Sequence, residues 1–246
     1  MTEPVPHSLI RRAMVLAAGL GKRMRPISAT TPKPLVEVGG KALIDHGLDR
    51  LAAVGVDTVV VNVHYLADLV EFHVTRRSYP RIIVSDERDI LLDTGGGIRR
   101  ALRYFHDEPF FVFNSDSSWI EGVKPNLRLL ADAWDDEGMD VLLMLSPTVS
   151  AVGYSGQGDF SMNGIGQLMR RQPQRIAPFV YAGAAVLHPR AFADAPADEP
   201  FSLNLVFDRA LDAGRLYGVR MEGQWLHVGT PEAISEAEAA IEASAA

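Results

Sequence analysis

Along nearly the whole chain, short apolar runs rich in valine alternate with stretches whose apolar residues recur at helical spacing. That alternation builds βαβ units, because two parallel strands must be joined by a crossover long enough to hold a helix. The expected fold class is therefore α/β around a mostly parallel sheet. Met14 to Ala17 reads as a first buried strand, and Leu43, Ile44, Leu48, Leu51 and Val54 then fall on one helical face. Strands are expected at Thr58 to Val63, Ile82 to Ser85, Phe110 to Phe113, Val141 to Leu145 and Tyr181 to Leu187. Between them, helices are expected through Leu66, Leu69, Val70, His73 and Val74, through Ile98, Ala101, Leu102 and Phe105, and through Leu127, Leu130, Ala131 and Trp134. A later stripe carries Leu203, Val206, Phe207, Ala210 and Leu211, and Thr230-Pro231 is a cap and first turn for a last helix. The Gly-rich stretch from Gly153 to Gly166 reads as loops and short strands of the same unit, so residues 1–246 are expected to form one domain.

Charge and composition narrow the function. A net charge of −7 argues against binding a nucleic-acid backbone, which calls for a cationic surplus. There is no cysteine, which removes disulfides, thiolate metal ligands and a thiol nucleophile. Arg11-Arg12 before Ala13 to Ala18 resembles a twin-arginine export signal, but Gly19-Leu20-Gly21-Lys22-Arg23 breaks the apolar run too early for export or for a membrane span. A cytoplasmic chain is expected, with small-molecule partners and with neither nucleic acid nor membrane.

The chemistry concentrates at Leu16-Ala17-Ala18-Gly19-Leu20-Gly21-Lys22-Arg23-Met24-Arg25-Pro26, a glycine-rich turn leaving a buried strand and loaded at once with cations. Glycines let backbone N–H groups approach an anion, while Lys22, Arg23 and Arg25 supply charge. Spacing excludes two familiar phosphate loops. The dinucleotide fingerprint needs a glycine where Met24 stands, and the Walker loop needs Ser or Thr where Arg23 stands. Next, Pro32-Lys33-Pro34 holds a lysine between two prolines that restrict its backbone. Asn114-Ser115-Asp116 follows an apolar strand, so Asp116 emerges at a strand's carboxyl end, where open α/β sheets bind ligands and where a carboxylate can hold a hard cation. Gly95-Gly96-Gly97 opens a helix, leaving room for a flat base or ribose against backbone.

These motifs, with Lys41-Ala42-Leu43-Ile44, Asp93-Thr94-Gly95, Gly158-Asp159-Phe160, Ala182-Gly183 and Trp225-Leu226-His227-Val228-Gly229-Thr230, make a pattern that resembles the sugar-1-phosphate nucleotidyltransferases over nearly the whole chain. The resemblance implies a Rossmann-like, three-layer mixed sheet of the nucleotide-diphospho-sugar transferase type, with a sugar-binding portion roughly at 147–200. It also implies metal-dependent uridylyl transfer from UTP to a sugar 1-phosphate, N-acetylmuramate 1-phosphate of cell-wall sugar recycling being the expected acceptor. Arg23, Lys33 and Asp116 are then the catalytic candidates. Leu16, Ala17, Ala18, Gly19, Gly21, Lys22, Arg23, Thr94, Gly95 and Asn114 would bind the nucleotide, and Lys33, Asp159, Arg171 and Gly183 the sugar phosphate. Asp116 and His227 would hold Mg²⁺.

Two positions depart from the family pattern. His227 stands where a second metal-binding aspartate is usual, and imidazole suits Mn²⁺ or Co²⁺ better than Mg²⁺. Gln172 stands where many relatives have a lysine that meets the sugar phosphate, leaving Arg170, Arg171 or Arg175 to supply that charge, and one of the arginines near Arg171 to meet a lactyl carboxylate. The alternatives are another pair of substrates, such as GTP with mannose 1-phosphate or dTTP with glucose 1-phosphate, or a nucleotide-sugar sensor that has lost catalysis. An Asp-x-Asp glycosyltransferase is disfavoured because its first position is the amide Asn114. His64, His73 and His106 show no metal-ligand spacing and are expected at the core edge or surface.

Overall fold

A computed structural model describes residues 10–245, so residues 1–9 and 246 of the expected 1–246 unit lie outside the described residues. The valine-rich runs become the centre of the sheet. β1 (Arg12–Leu16) is followed by a short ribbon of β2 (Glu37–Val38) and β3 (Lys41–Ala42), then by α1 (Leu43–Ala53), β4 (Thr58–Val63), α2 (Ala67–Thr75) and β5 (Arg81–Asp86). Next come α3 (Asp93–Ala101), β6 (Phe110–Asn114), β7 (Ser117–Ile120), α4 (Asn126–Ala133) and β8 (Val141–Pro147). The remainder is β9 (Phe160–Met162), β10 (Leu168–Arg170), β11 (Phe179–Leu187), α5 (Asn204–Asp212), β12 (Leu216–Arg220), β13 (Gln224–His227) and α6 (Pro231–Ala245). No helix among the described residues is long and apolar enough to cross a membrane.

The main sheet runs β10-β9-β11-β6-β1-β4-β5, with β8 and then β12 continuing from β11. β6, β1, β4 and β5 are parallel to one another, and β11 runs antiparallel to both β6 and β8. Strand residues alternate between faces. Val15, Val59, Val61, Phe111 and Phe113 join one core cluster, with α1, α2 and α4, whereas Met14, Val60, Phe110 and Val112 join another, with α3 and α5. Three layers result. Each fully buried Val or Phe contributes about 1.5–3 kcal/mol of transfer free energy, so both faces must stay covered.

Two local features position the site. First, β11 is shared along one edge: Ala184 to Leu187 pair with β6, while Phe179 pairs with Phe160 of β9. The changeover lies at an irregularity between Tyr181 and Ala185, which contains Gly183 at φ +79°. There the Ser117 hydroxyl donates to the Ala182 carbonyl at 2.8 Å, and a Cβ on Gly183 would collide with that same hydroxyl oxygen. A gap therefore opens in the sheet beyond Asn114, where β6 has ended and β9 has not begun.

Second, a buried polar pair sits beneath the loop that follows β1. Asn62 Oδ1 accepts from the Ala17 N–H at 2.7 Å, and Asn62 Nδ2 donates to Glu87 Oε1 at 2.8 Å. Glu87 Oε2 accepts from the Leu92 N–H at 3.3 Å, which ties the entry to α3 to the same network. Glu87 is wholly buried. Its desolvation outweighs these donors and pushes the carboxyl above its ordinary 4.5.

Several elements differ from the sequence reading. The helix expected through Phe105 ends at Ala101 and tightens into a 3-10 turn at Leu102–Tyr104. Leu69, placed on the buried stripe of α2, is 46% exposed and Phe72 is 64% exposed, because α2 covers only an edge of the sheet with Ala67, Val70 and Val74. The β2–β3 and β7–β13 ribbons were too short or too polar to register as strands.

Both features are testable. Gly183→Ala combines a left-handed backbone penalty with overpacking against Ser117, and should lower unfolding free energy by roughly 2–5 kcal/mol; an unchanged urea midpoint would count against the kink. Ionising Glu87 inside the fold is costly, so its contribution to stability is greatest below pH 4.5 and declines as pH rises through the folded-state pKa. Over that interval Glu87→Gln should gain stability relative to the native chain, and a difference independent of pH would contradict the buried carboxyl.

Candidate active site

The loop after β1 is rigid for reasons visible in its own residues. Gly21 adopts φ +59°, and its carbonyl accepts from both the Met24 N–H at 2.9 Å and the Ser28 hydroxyl at 2.7 Å. Tyr65 in turn donates to the Ser28 carbonyl at 2.8 Å. Met24 is fully buried in a cluster with Val36, Leu43, Leu226 and Val228, so the 3-10 turn Lys22–Met24 is pinned by its apolar member and leaves Arg23 exposed. The same cluster takes Leu226 and Val228 from either side of His227, and strand alternation puts the imidazole on the opposite side. A Cβ on Gly229 would lie 2.8 Å from His227 Nε2 and 3.5 Å from Arg23 Nη1, so the two side chains converge on that glycine.

Lys33 begins a 3-10 turn, Lys33–Leu35, and is only 9% exposed. Its ammonium donates to Asp116 Oδ2 at 2.6 Å. Burial opposes ionisation of Asp116, but the Lys33 charge and hydrogen bond overcome it, and the carboxyl is held below its ordinary value with further help from His227 and Arg23. Burial also lowers the His227 pKa, opposed by Asp116 and reinforced by Lys33 and Arg23. The imidazole is therefore neutral at pH 7 and keeps a lone pair.

Arg23, Lys33 and Asp116 border a cavity of about 450 Å³ that is also lined by Leu16, Ala17, Ala18, Gly19, Gly21, Thr94 and Asn114, whereas His227 is not among the residues that line it. Asn62, Leu91, Asp93, Pro34 and Ser115 line it too, although the sequence reading did not single them out as contacts. Asn62 carried a usable signal, an amide inside the apolar strand Thr58–Val63. A second cavity of about 310 Å³ shares Asp93, Thr94 and Asn114 with the first and continues into the gap of the sheet, past Asp159, Phe160, Arg170 and Tyr181 to α5. Asp159 Oδ2 accepts from the Tyr181 N–H at 3.0 Å.

Other expected contacts lie elsewhere. Gly95 lines neither cavity: its N–H donates to the Phe201 carbonyl at 2.9 Å, and a Cβ there would collide with the Phe201 ring. Likewise a Cβ on Gly96 would meet the Glu199 carbonyl oxygen at 2.6 Å, and one on Gly97 would meet Glu87 Oε1 at 2.7 Å. The three glycines thus let α3 pack closely against Phe201, Glu199 and Glu87. Lys22 is exposed and outside both linings. Arg171 turns away to the Gly158 carbonyl at 3.1 Å and Gln157 Oε1 at 3.1 Å, and Arg170 faces the second cavity instead. Gly183 shapes the gap through its backbone without lining it. Gln172 is exposed.

For a divalent cation the donors on offer are the Asp116 carboxylate, whose Oδ1 is not taken by Lys33, and the neutral His227. No group of three or more His, Cys, Asp or Glu side chains among the described residues could hold a metal ion. Such a pair fits a cation that arrives with a polyphosphate and takes its remaining oxygens from phosphate and water, better than a permanently held one.

A family model described as nucleotidyl transferase matches residues 12–244. The chain is 51% identical to N-acetylmuramate alpha-1-phosphate uridylyltransferase of Caulobacter vibrioides, over 92% of this chain and 95% of that one. It is 30% identical to the protein of the same name from Neisseria meningitidis serogroup B, over 93% and 97%. Among solved structures, the inositol-1-phosphate CTP transferase from T. maritima superposes with a TM-score of 0.74 at 19% identity, covering 94% of this chain and 98% of that one. A UDP-glucose pyrophosphorylase complexed with UDP-glucose superposes with a TM-score of 0.75 at 15% identity, covering 96% and 99%. At those identities the two structures speak for the fold, while the family match and the sequence relatives speak for membership: the chain belongs to the nucleotidyl transferase family.

Proposed function

We propose that this chain transfers a uridylyl group from UTP to N-acetylmuramate 1-phosphate, releasing pyrophosphate. The observation that carries the reading is the 51% identity to a relative of that activity across almost all of both chains. The contiguous cavities support it, one bordered by Arg23, Lys33 and Asp116 and the other large enough for a substituted sugar. A cytoplasmic setting in cell-wall sugar recycling goes with the same reading.

In this reaction a phosphate oxygen of the sugar 1-phosphate attacks the α-phosphorus in line. The new P–O bond forms as the bond to the bridging oxygen of the β-phosphate breaks, and the electron pair leaves with pyrophosphate. The nucleophile is already anionic at neutral pH, so no general base is needed; the protein's work is to align two anions and offset their charge. Backbone from Leu16 to Gly21 lines the nucleotide cavity. Arg23, on its exposed turn, meets the leaving phosphates. Lys33 is already desolvated and oriented by Asp116, so it can transfer its hydrogen bonds to the reacting phosphates with little reorganisation. Asp116 and His227 would hold a divalent cation, Mg²⁺ or the softer Mn²⁺ or Co²⁺, which when bound would neutralise charge on the triphosphate oxygens.

Arg23→Ala should lower the rate of pyrophosphate release on the order of 10²–10³-fold; near-native release would overturn the role. The lowered His227 pKa places the acid limb of activity below pH 6.5, since protonation removes the lone pair. Activity should fall as pH drops through the lowered His227 pKa, with Mn²⁺ supporting more turnover than Mg²⁺. His227→Asp should abolish the limb and reverse the metal preference, and an unchanged limb would show that His227 does not ligate. Pyrophosphate release from UTP, GTP, CTP and dTTP with this acceptor tests the donor directly.

A further inference from the structure

In the second cavity the side chains are arranged for an acceptor with a charge of its own, beyond its phosphate. Arg170 is the one cationic side chain among the described residues that line it, while Asp93 and Asp159 contribute carboxylates. An anionic substituent entering here is repelled by the two carboxylates and finds its one opposite charge at Arg170.

The guanidinium is prepared for that meeting. It lies over the Phe160 ring, 4.7 Å from the centroid. Its Nε donates to Asp208 Oδ1 at 2.7 Å and its Nη2 to Asn204 Oδ1 at 2.9 Å, both residues of α5. Stacking and these bonds, with Nη2 also 2.7 Å from Asp208 Oδ1, fix the plane and engage Nε and Nη2, so Nη1 is the nitrogen left to donate a charge-assisted bond to a ligand. Asp208 is 55% exposed, so water screens its hold on the charge. A second group also awaits a polar ligand: the Tyr181 hydroxyl is buried with no hydrogen-bond partner, in a side chain that lines the same cavity. A buried hydroxyl left unpaired costs free energy that a bound sugar would recover.

We propose that Arg170 determines acceptor specificity by receiving a carboxylate carried on the sugar ring. Given the acceptor proposed above, on which this inference rests, that group is the lactyl ether carboxylate, and Arg170 separates the acceptor from the same hexosamine without it. Arg23 and Lys33 then serve the phosphates, and the cation on β10 serves the substituent.

The test compares N-acetylmuramate 1-phosphate with N-acetylglucosamine 1-phosphate at saturating UTP and divalent metal, for the native chain, Arg170→Gln and Arg170→Lys. The native chain should prefer the carboxylated sugar. Arg170→Gln should lose about 10- to 100-fold in kcat/KM for that sugar, chiefly through KM, and change little for the other. Arg170→Lys should recover part of the loss, since an ammonium keeps the charge but not the planar guanidinium that Phe160 and α5 hold in place. Equal losses on both sugars would reduce Arg170 to a structural role, and a retained preference in Arg170→Gln would overturn the inference. A native chain that uses the carboxylated sugar with none of the four triphosphates would instead reject the proposed function.

Discussion

A lysine and an aspartate 83 positions apart meet at 2.6 Å in a largely desolvated cleft, and the site is organised around that contact. Lys33 arrives on a proline-flanked 3-10 turn, and Asp116 at the end of the central strand β6. Either charge alone would be costly there, since burial penalises an ion without a partner. The Lys33 charge and its hydrogen bond keep Asp116 ionised despite that burial. Their pairing also explains why His227, close by, has its pKa lowered although a carboxylate stands near it: desolvation and two cations outweigh one anion.

The contact depends on layers beneath it. Met24, Leu226 and Val228 share one apolar cluster, so packing that is indifferent to chemistry places Arg23 and His227 on the same side of the cleft. Asn62 and Glu87 do a similar task with polar atoms, tying the end of β1 to the start of α3. That network carries the strain of a buried acid, and it lies directly under the backbone that faces the first cavity.

Much of this was legible in the residues before any coordinates. The valine-rich runs fall on the central strands because their apolar character and length match a sheet buried on both faces. The phosphate-loop candidates, Lys33 and Asp116 come together because motifs at the carboxyl ends of neighbouring parallel strands must open onto one edge. Contacts made by folding back were not legible. Gly95 looks like a ligand-facing glycine until Phe201, more than a hundred positions later, is found against it. Arg170 and Arg171 differ by one residue, yet alternation along β10 and its end sends one to the cavity and the other to the Gly158 carbonyl. Such choices depend on strand register, which short polar segments specify weakly.

The way β9 and β10 attach to the rest has a consequence for how such molecules diversify. This hairpin meets β11 through a single pairing, Phe179 with Phe160, on the far side of the Gly183 kink from β6, and its tip meets β12 through a bridge between Gln167 and Tyr217. Its residues can change without disturbing the turn that carries Lys33 or the segment after β6 that carries Asp116. Selection could therefore remodel the acceptor end while inheriting the donor end intact, which gives one scaffold an economical route to many nucleotide sugars.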